Sequence, residues 1–491
     1  MKARPRAGHP DSMNILAPSP AKLAALSLLT LSLGCSSRAV VGVDDEVLPG
    51  GECQGPCPAP LYADAIFAPT SSLLDIEPTP EGGVVVAGHF AGKLQLADSA
   101  VQSQPDTADM FVMKRSAAGD VEWVRSVAGY APSLQVAARP DGTIVVAGCF
   151  QDTADFGTGP ITAGGPPDYF EAPVDFFLWT IAADGTPSAP VTLPAELCIA
   201  ELALASNGDA ILAATLPQAI QLGGQILAPV GSTDGLVVRM TTSGDIVFAR
   251  QTSAPGDDAF VDLAPRPDGG VVIAVAYSEA FTFEGNVFPK VGPTGGAILA
   301  LDEKGSALWG HRIDPTPDDA DDSESSFAPS LALAPDNRVA VWIERQPDAV
   351  ENALQVFDSI GTLTSHTSVG AVSPPPTGFA MGSDGAAYIA GSFRKSVIAG
   401  DLSIDTADPD DLDDPGDHDG YLARIGTKGQ VEWLLSMGAP VSHQQLMGLT
   451  VTTLGAPVVR GEYYKGAFAI GDDLLPAAVN PSRAFVAAFT P

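Results

Sequence analysis

A turn followed by a short apolar strand recurs seven times along the sequence, and this repetition limits the chain to a repeat architecture. The two clearest copies are Pro80–Phe90 and Pro140–Phe150, which share the pattern Pro-x-Gly-x-x-Val-Val-Ala-Gly-x-Phe. The weaker copies centre on the turns Asn207–Asp209, Asp268–Gly270, Asp336–Arg338, Asp384–Ala386 and Leu454–Ala456. The steps between turn residues range from 48 (337 to 385) to 70 (385 to 455), which indicates one structural unit with loops of variable length.

A second turn within each period indicates a second hairpin. Its clearest copies surround Gly119, Gly244 and Gly429, where an alternating strand precedes the glycine and a strand with an aromatic residue follows it. Each period therefore contains four predicted strands, which we call a, b, c and d. The 51 Gly and 43 Pro are spread between short apolar runs, which is typical of an all-β protein and leaves no room for long helices.

The number of copies suits a closed ring. A four-stranded unit of this size has two apolar faces and must stack against its neighbours. The last repeat ends without a d strand, whereas Tyr62–Phe67 stands before the first a strand, where a d strand would be expected. We predict an all-β fold over residues 61–491, a seven-bladed β-propeller of four-stranded antiparallel blades. The N-terminal strand would complete the last blade and leave no long edge open.

The repeat resembles the SBBP type of bacterial β-propeller repeat. The similarity rests on the turn, the strand that ends in Ala-Gly-x-Phe, the segment Asp109–Lys114 and the glycine before an aromatic strand. It covers residues 61–491 and is weakest in the fifth repeat, where Asn337 replaces the glycine and Trp342 and Glu344 interrupt the Ala-Gly pair. The resemblance implies an extracytoplasmic propeller, often one without an assigned activity. A propeller fold supports many unrelated functions, so the function depends on the particular residues of a binding or catalytic site.

Residues 1–34 have the features of an export signal, a basic start and an apolar run, Leu23–Leu33, that is too short to span a bilayer. The run ends in Leu-Ser-Leu-Gly-Cys35, which resembles the lipobox of bacterial lipoproteins, although Ser32 stands where Leu is usual. The resemblance implies cleavage before Cys35 and a membrane anchor of diacylglycerol and palmitate on that cysteine. Because Ser36 follows rather than Asp, it also implies the outer membrane. The alternative is an ordinary secretory signal.

Residues 35–60 contain Gly and Pro interruptions and no periodic pattern, so we expect a tether. Cys53 and Cys57 within it have a spacing that fits a small disulfide or a metal or redox site. No second cysteine pair or histidine cluster lies nearby in sequence, which favours the disulfide. If Cys35 carries lipid, Cys149 and Cys198 remain as a possible second pair.

The charge of the chain argues against nucleic acid as a partner. Lys and Arg number 25 against 59 Asp and Glu, a formal net charge of −34, which repels phosphate backbones and anionic headgroups. Hydrophobic residues make up 45% of the chain and charged residues 17%, which is typical of a folded protein rather than an acidic disordered one.

The sequence contains no common catalytic motif, because G-x-S-x-G, H-E-x-x-H, the Walker A loop and G-x-G-x-x-G are all absent. The seventh position after the turn residue includes His89, Glu344 and Glu462, which would form a cation or acid/base site if they met. The alternative is that they are solvated strand ends. The eighth position is mostly aromatic, as in Phe90 and Phe150, and is predicted to be core between blades.

Two acidic segments, Asp314–Ser326 and Asp401–Asp419, are candidate cation-binding loops. The second resembles half of a calcium loop but lacks the later bidentate Glu, and a solvated acidic loop is the alternative. Its candidate calcium ligands are Asp410, Asp413, Asp417 and Asp419. In a four-stranded meander the a–b and c–d turns share one face of the ring, and the b–c and d–a connections share the other. Both acidic segments are predicted on this second face, which we call the long-loop face.

These features favour a non-catalytic cell-envelope lipoprotein whose long-loop face binds a partner protein, a glycan or a cation. A rigid scaffold with variable loops on one face is a common binding architecture. One alternative is a propeller hydrolase or lyase with acidic residues on one face, and a pocket with two carboxylates in unlike surroundings would favour it. The other alternative is a purely structural envelope protein, which would have no pocket.

Overall fold

The computed structural model describes residues 39–41, 47–49, 52–66, 68, 70–95, 100–104, 108–165, 172–194, 197, 199–290, 295–313, 329–334, 338–343, 352–370, 372–406, 418–438, 442–470, 473–475 and 483–491. Over these ranges the chain forms strands, turns and loops without a helix, which confirms the all-β prediction. A membrane-spanning helix is likewise not found in the same ranges.

Seven antiparallel sheets carry most of the described chain, and their strands a, b, c and d pair in that order. Sheet 1 consists of Thr70–Pro78, Val84–Ala91, Asp109–Arg115 and Val121–Val127. Sheet 2 consists of Ser133–Ala138, Ile144–Gln151, Val174–Ile181 and Val191–Leu193. Sheet 3 consists of Ile199–Leu204, Ala210–Leu216, Asp234–Met240 and Ile246–Gln251. Sheet 4 consists of Asp258–Pro265, Val271–Tyr277, Gly295–Leu301 and Ala307–Ile313.

The remaining three sheets follow the same plan. Sheet 5 consists of Ser330–Leu333, Val339–Ile343, Asn352–Phe357 and Leu363–Gly370. Sheet 6 consists of Gly378–Met381, Ala387–Phe393, Asp419–Ile425 and Val431–Met437. Sheet 7 has its a, b and c strands at Ser442–Val451, Pro457–Lys465 and Arg483–Phe489. Its fourth strand is Pro60–Ile66, which pairs antiparallel with Arg483–Phe489.

Hydrophobic clusters lie between neighbouring sheets. The a strand of each sheet contacts the a strand of the next, and the a strand of sheet 7 contacts that of sheet 1. Seven clusters each draw their residues from two adjacent sheets, including sheets 7 and 1. The predicted core role of the eighth position is confirmed wherever the position is described, because the following residues are buried: Phe90, Phe150, Leu216, Tyr277, Phe393 and Tyr463.

The aromatic residue of a d strand packs on the glycine in the c–d turn of the next sheet. A Cβ added to Gly185 would lie 2.8 Å from the ring of Trp123, and φ at Gly185 is 84°, so the turn requires glycine for space and for backbone conformation. Tyr62 makes the same contact with Gly119 of sheet 1, where the added Cβ would lie 2.5 Å from the ring. This contact explains why the sequence repeats a glycine ahead of an aromatic strand.

Six b–c connections contain a small hairpin that the sequence analysis did not predict. Strands of three or four residues are too short to give a periodic signal. The hairpins are Lys93–Gln95 with Ala100–Gln102, Thr153–Asp155 with Pro160–Thr162, Ile220–Leu222 with Gln225–Leu227, Phe281–Phe283 with Asn286–Phe288, Ser396–Ala399 with Leu402–Asp405, and Phe468–Ile470 with Asp473–Leu475. Two further short pairings join Val372–Ser373 to Ser396–Ala399 and Ala39–Val41 to Val47–Pro49.

Part of the expected tether is docked on sheet 6. Cys53–Gln54 pairs with Val431–Met437 as a fifth strand, and the Glu52 amide donates to Ser436 Oγ at 2.9 Å. A disulfide joins Cys53 to Cys57 with a Cα separation of 6.1 Å. The docked segment departs from the tether prediction because its backbone groups find partners on the free edge of a strand, which it covers.

Candidate functional site

The a strands of all seven sheets line a cavity of about 530 Å³. This volume is within the range of about 300–1,000 Å³ that is usual for small-molecule sites. Most of the lining residues fall between seven and four positions before the turn residue, as Asp75 and Pro78 do before Gly82, so the cavity lies toward the a–b turns. Its wall carries the four carboxyl groups of Asp75, Glu77, Glu201 and Asp262 and the guanidinium group of Arg460.

β-Bulges position three of the four acids. The register of the a strand shifts in sheets 1, 3, 4 and 7. The first residue after the shift is Asp75, Glu201 or Asp262 in sheets 1, 3 and 4, and Gly448 in sheet 7. A bulge adds one residue to a strand and redirects the side chain beside it. All three acids stand seven residues before the turn glycine of their repeat, so the same local device presents a carboxyl group to the cavity three times.

Asp75 and Asp262 each connect two neighbouring sheets. The carboxylate of Asp75 accepts hydrogen bonds from the amides of Ile76 and, in sheet 2, Val136, both at 2.7 Å. Asp262 accepts the amide of Leu263 at 2.7 Å and, in sheet 5, that of Leu331 at 2.6 Å. Burial raises the pKa of both carboxyl groups, that of Asp262 to about 7, and the amide donors oppose the rise. These two acids therefore have a structural role as well as lining the cavity.

Glu77 has no such support. In the described part of the chain its carboxylate has no hydrogen-bond donor, and the equivalent residues of the other repeats are alanine in sheets 2 to 6 and Thr450 in sheet 7. Burial raises the pKa of Glu77 well above its usual value, and the charges of Asp75 and Asp262 raise it further. Glu201 is similar, because one long bond of 3.3 Å from the Leu202 amide is its only described donor and burial raises its pKa well above the usual range.

Arg460 reaches the cavity from the b strand of sheet 7. Gly448 permits this approach, because a Cβ at that position would lie 2.6 Å from the guanidinium Nε. Nη1 donates to the carbonyl of Leu73, and the buried Nε has no partner in the described residues. Burial lowers the pKa of Arg460, whereas the charges of Asp75 and Glu201 raise it. Arg460 is therefore the counter-charge of the acidic cavity.

The cavity has more acidic groups than its one guanidinium can neutralise. A bound cation would supply the missing charge, and N–H groups on that cation would supply the donors that Glu77 and Glu201 lack. Within the described ranges, no group of three Asp, Glu, His or Cys side chains could hold a metal ion. An organic cation with several N–H donors could reach carboxyl groups at separate positions of the wall, whereas a metal ion needs its ligands around one position. The arrangement therefore suits an organic cation better than a metal ion.

Most of the predicted calcium ligands lie outside the described residues, namely Asp410, Asp413 and Asp417. Asp419 is described, is 2% exposed and accepts a hydrogen bond from the hydroxyl of Thr406 at 2.9 Å. Asp175, at the corresponding position of sheet 2, accepts the amides of Gly164 and Gly165. An aspartate near the start of the c strand thus holds the loop before it, which gives Asp419 a structural role that its sequence did not reveal.

The predicted cysteine sites are partly described. Cys53 and Cys57 form the disulfide of the docked segment. Cys149 is buried in the b strand of sheet 2 and is disulfide-bonded. Cys198 and the lipidation residue Cys35 lie outside the described residues, so the Cys149–Cys198 pairing and the lipid anchor stay predictions.

The seventh-position residues that the structure describes do not line the cavity. His89 lies beside Tyr130 with 5.1 Å between ring centroids, and burial lowers its pKa. Glu462 accepts a hydrogen bond from the hydroxyl of Tyr464 at 3.0 Å, and Glu344 lies outside the described residues. The cavity acids lie before the turn residues and not after them: Asp75, Glu201 and Asp262 each stand seven residues before the turn glycine of their repeat. This shared position is the sequence signal by which they could have been predicted.

No family model and no curated protein matches the chain. Among solved structures it is similar to the β-propeller domain of the Trilobed protease from Pyrococcus furiosus, with 12% identity over 80% of this chain and 90% of that one and a TM-score of 0.40. It is similar to virginiamycin B lyase from Staphylococcus aureus, with 12% identity, coverages of 72% and 94% and a TM-score of 0.35. For regucalcin, a calcium-binding protein from Agrobacterium tumefaciens, the identity is 12%, the coverages are 60% and 80% and the TM-score is 0.28. Similarities at this level say nothing about function.

Proposed function

We propose that the protein is a non-catalytic binding propeller of the cell envelope, and that its acidic cavity takes an organic cation with primary ammonium or guanidinium groups. Glu77 is the observation that carries the proposal, because it is a carboxyl group facing the cavity without a donor in the described residues. Desolvating a carboxylate without a partner costs folding free energy. A cationic ligand would provide both the charge and the donors. The sequence-based prediction of a binding role is kept, but the site moves from the long-loop face to the cavity.

We also propose that the seven sheets are the blades of a closed ring. The series of a-strand contacts returns from sheet 7 to sheet 1, and a hydrophobic cluster fills each of the seven spaces between neighbours. Tyr62 packs on Gly119 in the way that Trp123 packs on Gly185. These observations support closure of the ring by Pro60–Ile66.

Replacing Glu77 with Gln should weaken binding of spermidine and of argininamide at least tenfold, as measured by isothermal titration calorimetry. The same variant should be more stable than the wild type without ligand at pH 8, by about 1–3 kcal/mol, because an amide replaces a desolvated carboxylate. The exposed Glu303, in the c–d turn of sheet 4, provides the matched control, and Glu303→Gln should change neither property. Equal affinity of Glu77→Gln and wild type for both probes, or binding of neither probe by the wild type, would contradict the proposal.

An acid–base enzyme is the second candidate, because the cavity contains carboxyl groups in unlike surroundings. Asp75 has two amide donors and the nearby charge of Arg460, whereas Glu77 has no described donor. Such a pair could keep one carboxyl group ionised and the other protonated. Turnover of a cationic ester or amide that Asp75→Asn abolishes would favour this candidate, and unchanged recovery of the bound probe would favour binding alone.

Attachment to the membrane through a lipid on Cys35 is a prediction that can be tested directly. Wild-type protein isolated from membranes should carry an acylated Cys35 as its first residue, seen by mass spectrometry of the N-terminal peptide. Cys35→Ala should shift the protein into the soluble or unprocessed fraction, because a cysteine thiol is the acceptor of the lipid. Cys57→Ser is a control that should leave membrane attachment unchanged. An unmodified Cys35 in the membrane-derived protein would exclude the anchor.

A further inference from the structure

Arg460 brings hydrogen-bond donors into the acidic cavity that the described residues leave unused. A guanidinium group has five N–H donors, and Arg460 makes one described bond with them, from Nη1 to the carbonyl of Leu73. Its Nε is buried beside Gly448. Within the described ranges, Nη2 has no acceptor and no carboxylate forms an ion pair with the guanidinium group. Arg460 can therefore bind an anionic group in a cavity whose other charged groups are acids.

Asp75 does not occupy the unused donors of Arg460. One carboxylate oxygen of Asp75 accepts the amide of Ile76 and the other accepts the amide of Val136, both at 2.7 Å. Guanidinium groups bind free carboxylates strongly, because two parallel N–H donors fit the two oxygens. Unused donors of this kind on the cavity wall point to a carboxylate on the ligand.

The two carboxyl groups that lack strong donors lie on different sheets. Glu77 belongs to the a strand of sheet 1, which is also the strand that Arg460 contacts. Glu201 belongs to the a strand of sheet 3, and sheet 2 between them contributes only Ala137 and Ala138 to the wall. Small apolar side chains leave room for an aliphatic chain. The wall thus has a guanidinium group and an acid on one side of an uncharged stretch and a second acid on the other side.

We infer that the ligand of the cavity is an amino acid with a free carboxylate and a cationic side chain, of the arginine or lysine type. This inference rests on the proposed function and adds Arg460 as the residue that determines specificity for the carboxylate. In this arrangement the carboxylate binds Arg460, the α-ammonium group binds Glu77 and the side-chain cation binds Glu201. An α-amino acid carries its ammonium and carboxylate groups on one carbon, which matches a guanidinium group and an acid at the same strand.

The test compares L-arginine with L-argininamide and agmatine, by isothermal titration calorimetry on the full chain at pH 7. All three probes have a guanidinium group and an amino group, but argininamide has a neutral amide in place of the carboxylate and agmatine lacks the carboxylate altogether. A cavity that recognised positive charge alone would prefer these two probes, because each carries more net positive charge than arginine. We expect the reverse. Wild type should bind arginine roughly ten- to a hundredfold more tightly, as is usual for hydrogen bonds between charged groups.

Arg460→Gln tests whether this residue causes the preference. The variant should bind arginine more weakly by about the same factor and should bind argininamide and agmatine more tightly, because a positive charge has left the cavity. Arg250→Gln changes a partly exposed arginine in the d strand of sheet 3 and should keep the wild-type ratio of affinities. Thermal unfolding without ligand checks that each variant folds. If Arg460→Gln does not fold, the wild-type affinities for arginine, argininamide and agmatine decide the question.

The outcomes separate this inference from the proposed function. Wild-type affinity for argininamide or agmatine that equals or exceeds that for arginine would overturn the inference and leave the binding of organic cations standing. A preference for arginine that persists in a folded Arg460→Gln variant would overturn it as well. Failure of the wild type to bind any of the three probes would contradict the proposed function itself, and the inference with it.

Discussion

A chain that starts at residue 68, and so lacks Pro60–Ile66, should lose more than about 5 kcal/mol of unfolding free energy and should aggregate. The strand buries Tyr62, Ala63 and Ile66, which are 8%, 6% and 2% exposed. Burying a large apolar side chain contributes roughly 1.5–3 kcal/mol, and each ladder hydrogen bond about 0.5–1.5 kcal/mol. Loss of the strand would also leave Arg483–Phe489 as an open edge, which is a template for intermolecular pairing. Chemical denaturation and light scattering measure the two effects.

Two longer chains are the controls for this truncation. A chain that starts at residue 52 keeps every strand of the seven sheets and the docked segment, so its stability should match that of the full chain. A chain that starts at residue 60 loses the fifth strand of sheet 6, the Cys53–Cys57 disulfide and the two hydrogen bonds between Ala59 and Thr490. It should lose about 1–3 kcal/mol, because a few hydrogen bonds at an exposed edge are removed. In the full chain, Ile66→Ala should cost about 2–5 kcal/mol. Equal stability of the chains that start at 60 and 68 would contradict closure by the N-terminal strand.

Arg460→Gln should destabilise the protein by about 3–5 kcal/mol at pH 8, because removing one partner leaves buried opposite charges uncompensated. The loss should be smaller at pH 5.5. The pKa values of Asp75, Glu77, Glu201 and Asp262 are all raised, so the folded state binds more protons than the unfolded state in a window that begins at about pH 4. For Asp262, whose pKa is raised to about 7, this window ends at about pH 7. Stability therefore falls as pH rises through this window, and loss of the guanidinium should make the fall steeper.

Arg250→Gln is the matched control for Arg460→Gln. Arg250 is partly exposed and pairs with Glu284 at 3.0 Å, so its loss should cost no more than about 1 kcal/mol at either pH. Urea denaturation of wild type and both variants at pH 5.5 and pH 8 measures the comparison. A loss for Arg460→Gln that is the same at both pH values would mean that the residue contributes packing alone and does not balance the cavity carboxylates.

The turn chemistry made the sheets predictable, because Gly82 and Gly119 adopt positive φ, a conformation that glycine adopts without strain. The cavity was less accessible to sequence reasoning. Asp75, Glu201 and Asp262 share one position relative to the turns, but their direction depends on bulges, which have no clear local signal. Arg460 could not have been found this way, because it reaches the cavity from a b strand.

Other misses have the same physical origin. The docked Cys53–Gln54 strand and the six small hairpins are too short for a period-two pattern to stand out. Asp419 was grouped with its acidic neighbours because composition does not distinguish a solvated carboxylate from one that is 2% exposed and bonded to Thr406. An alternating pattern of apolar and polar residues is recognisable in strands of about six or more residues. The cavity and the docked segment depend on single-residue bulges and on strands of two to four residues, which have no such pattern.

The pairing of Pro60–Ile66 with Arg483–Phe489 also sets an order of events during folding. Ile66 and its partner Ala484 are 418 positions apart in the chain, so the first of these strands is synthesised long before its partner exists. Contacts between such distant segments form slowly and late, and unpaired strands are prone to misassociation in the meantime. We therefore expect the early strand to stay unpaired while the other six sheets assemble from local hairpins. Its pairing with Arg483–Phe489 should then be a late step of folding, and the unpaired strand should be a site of misassociation until that step.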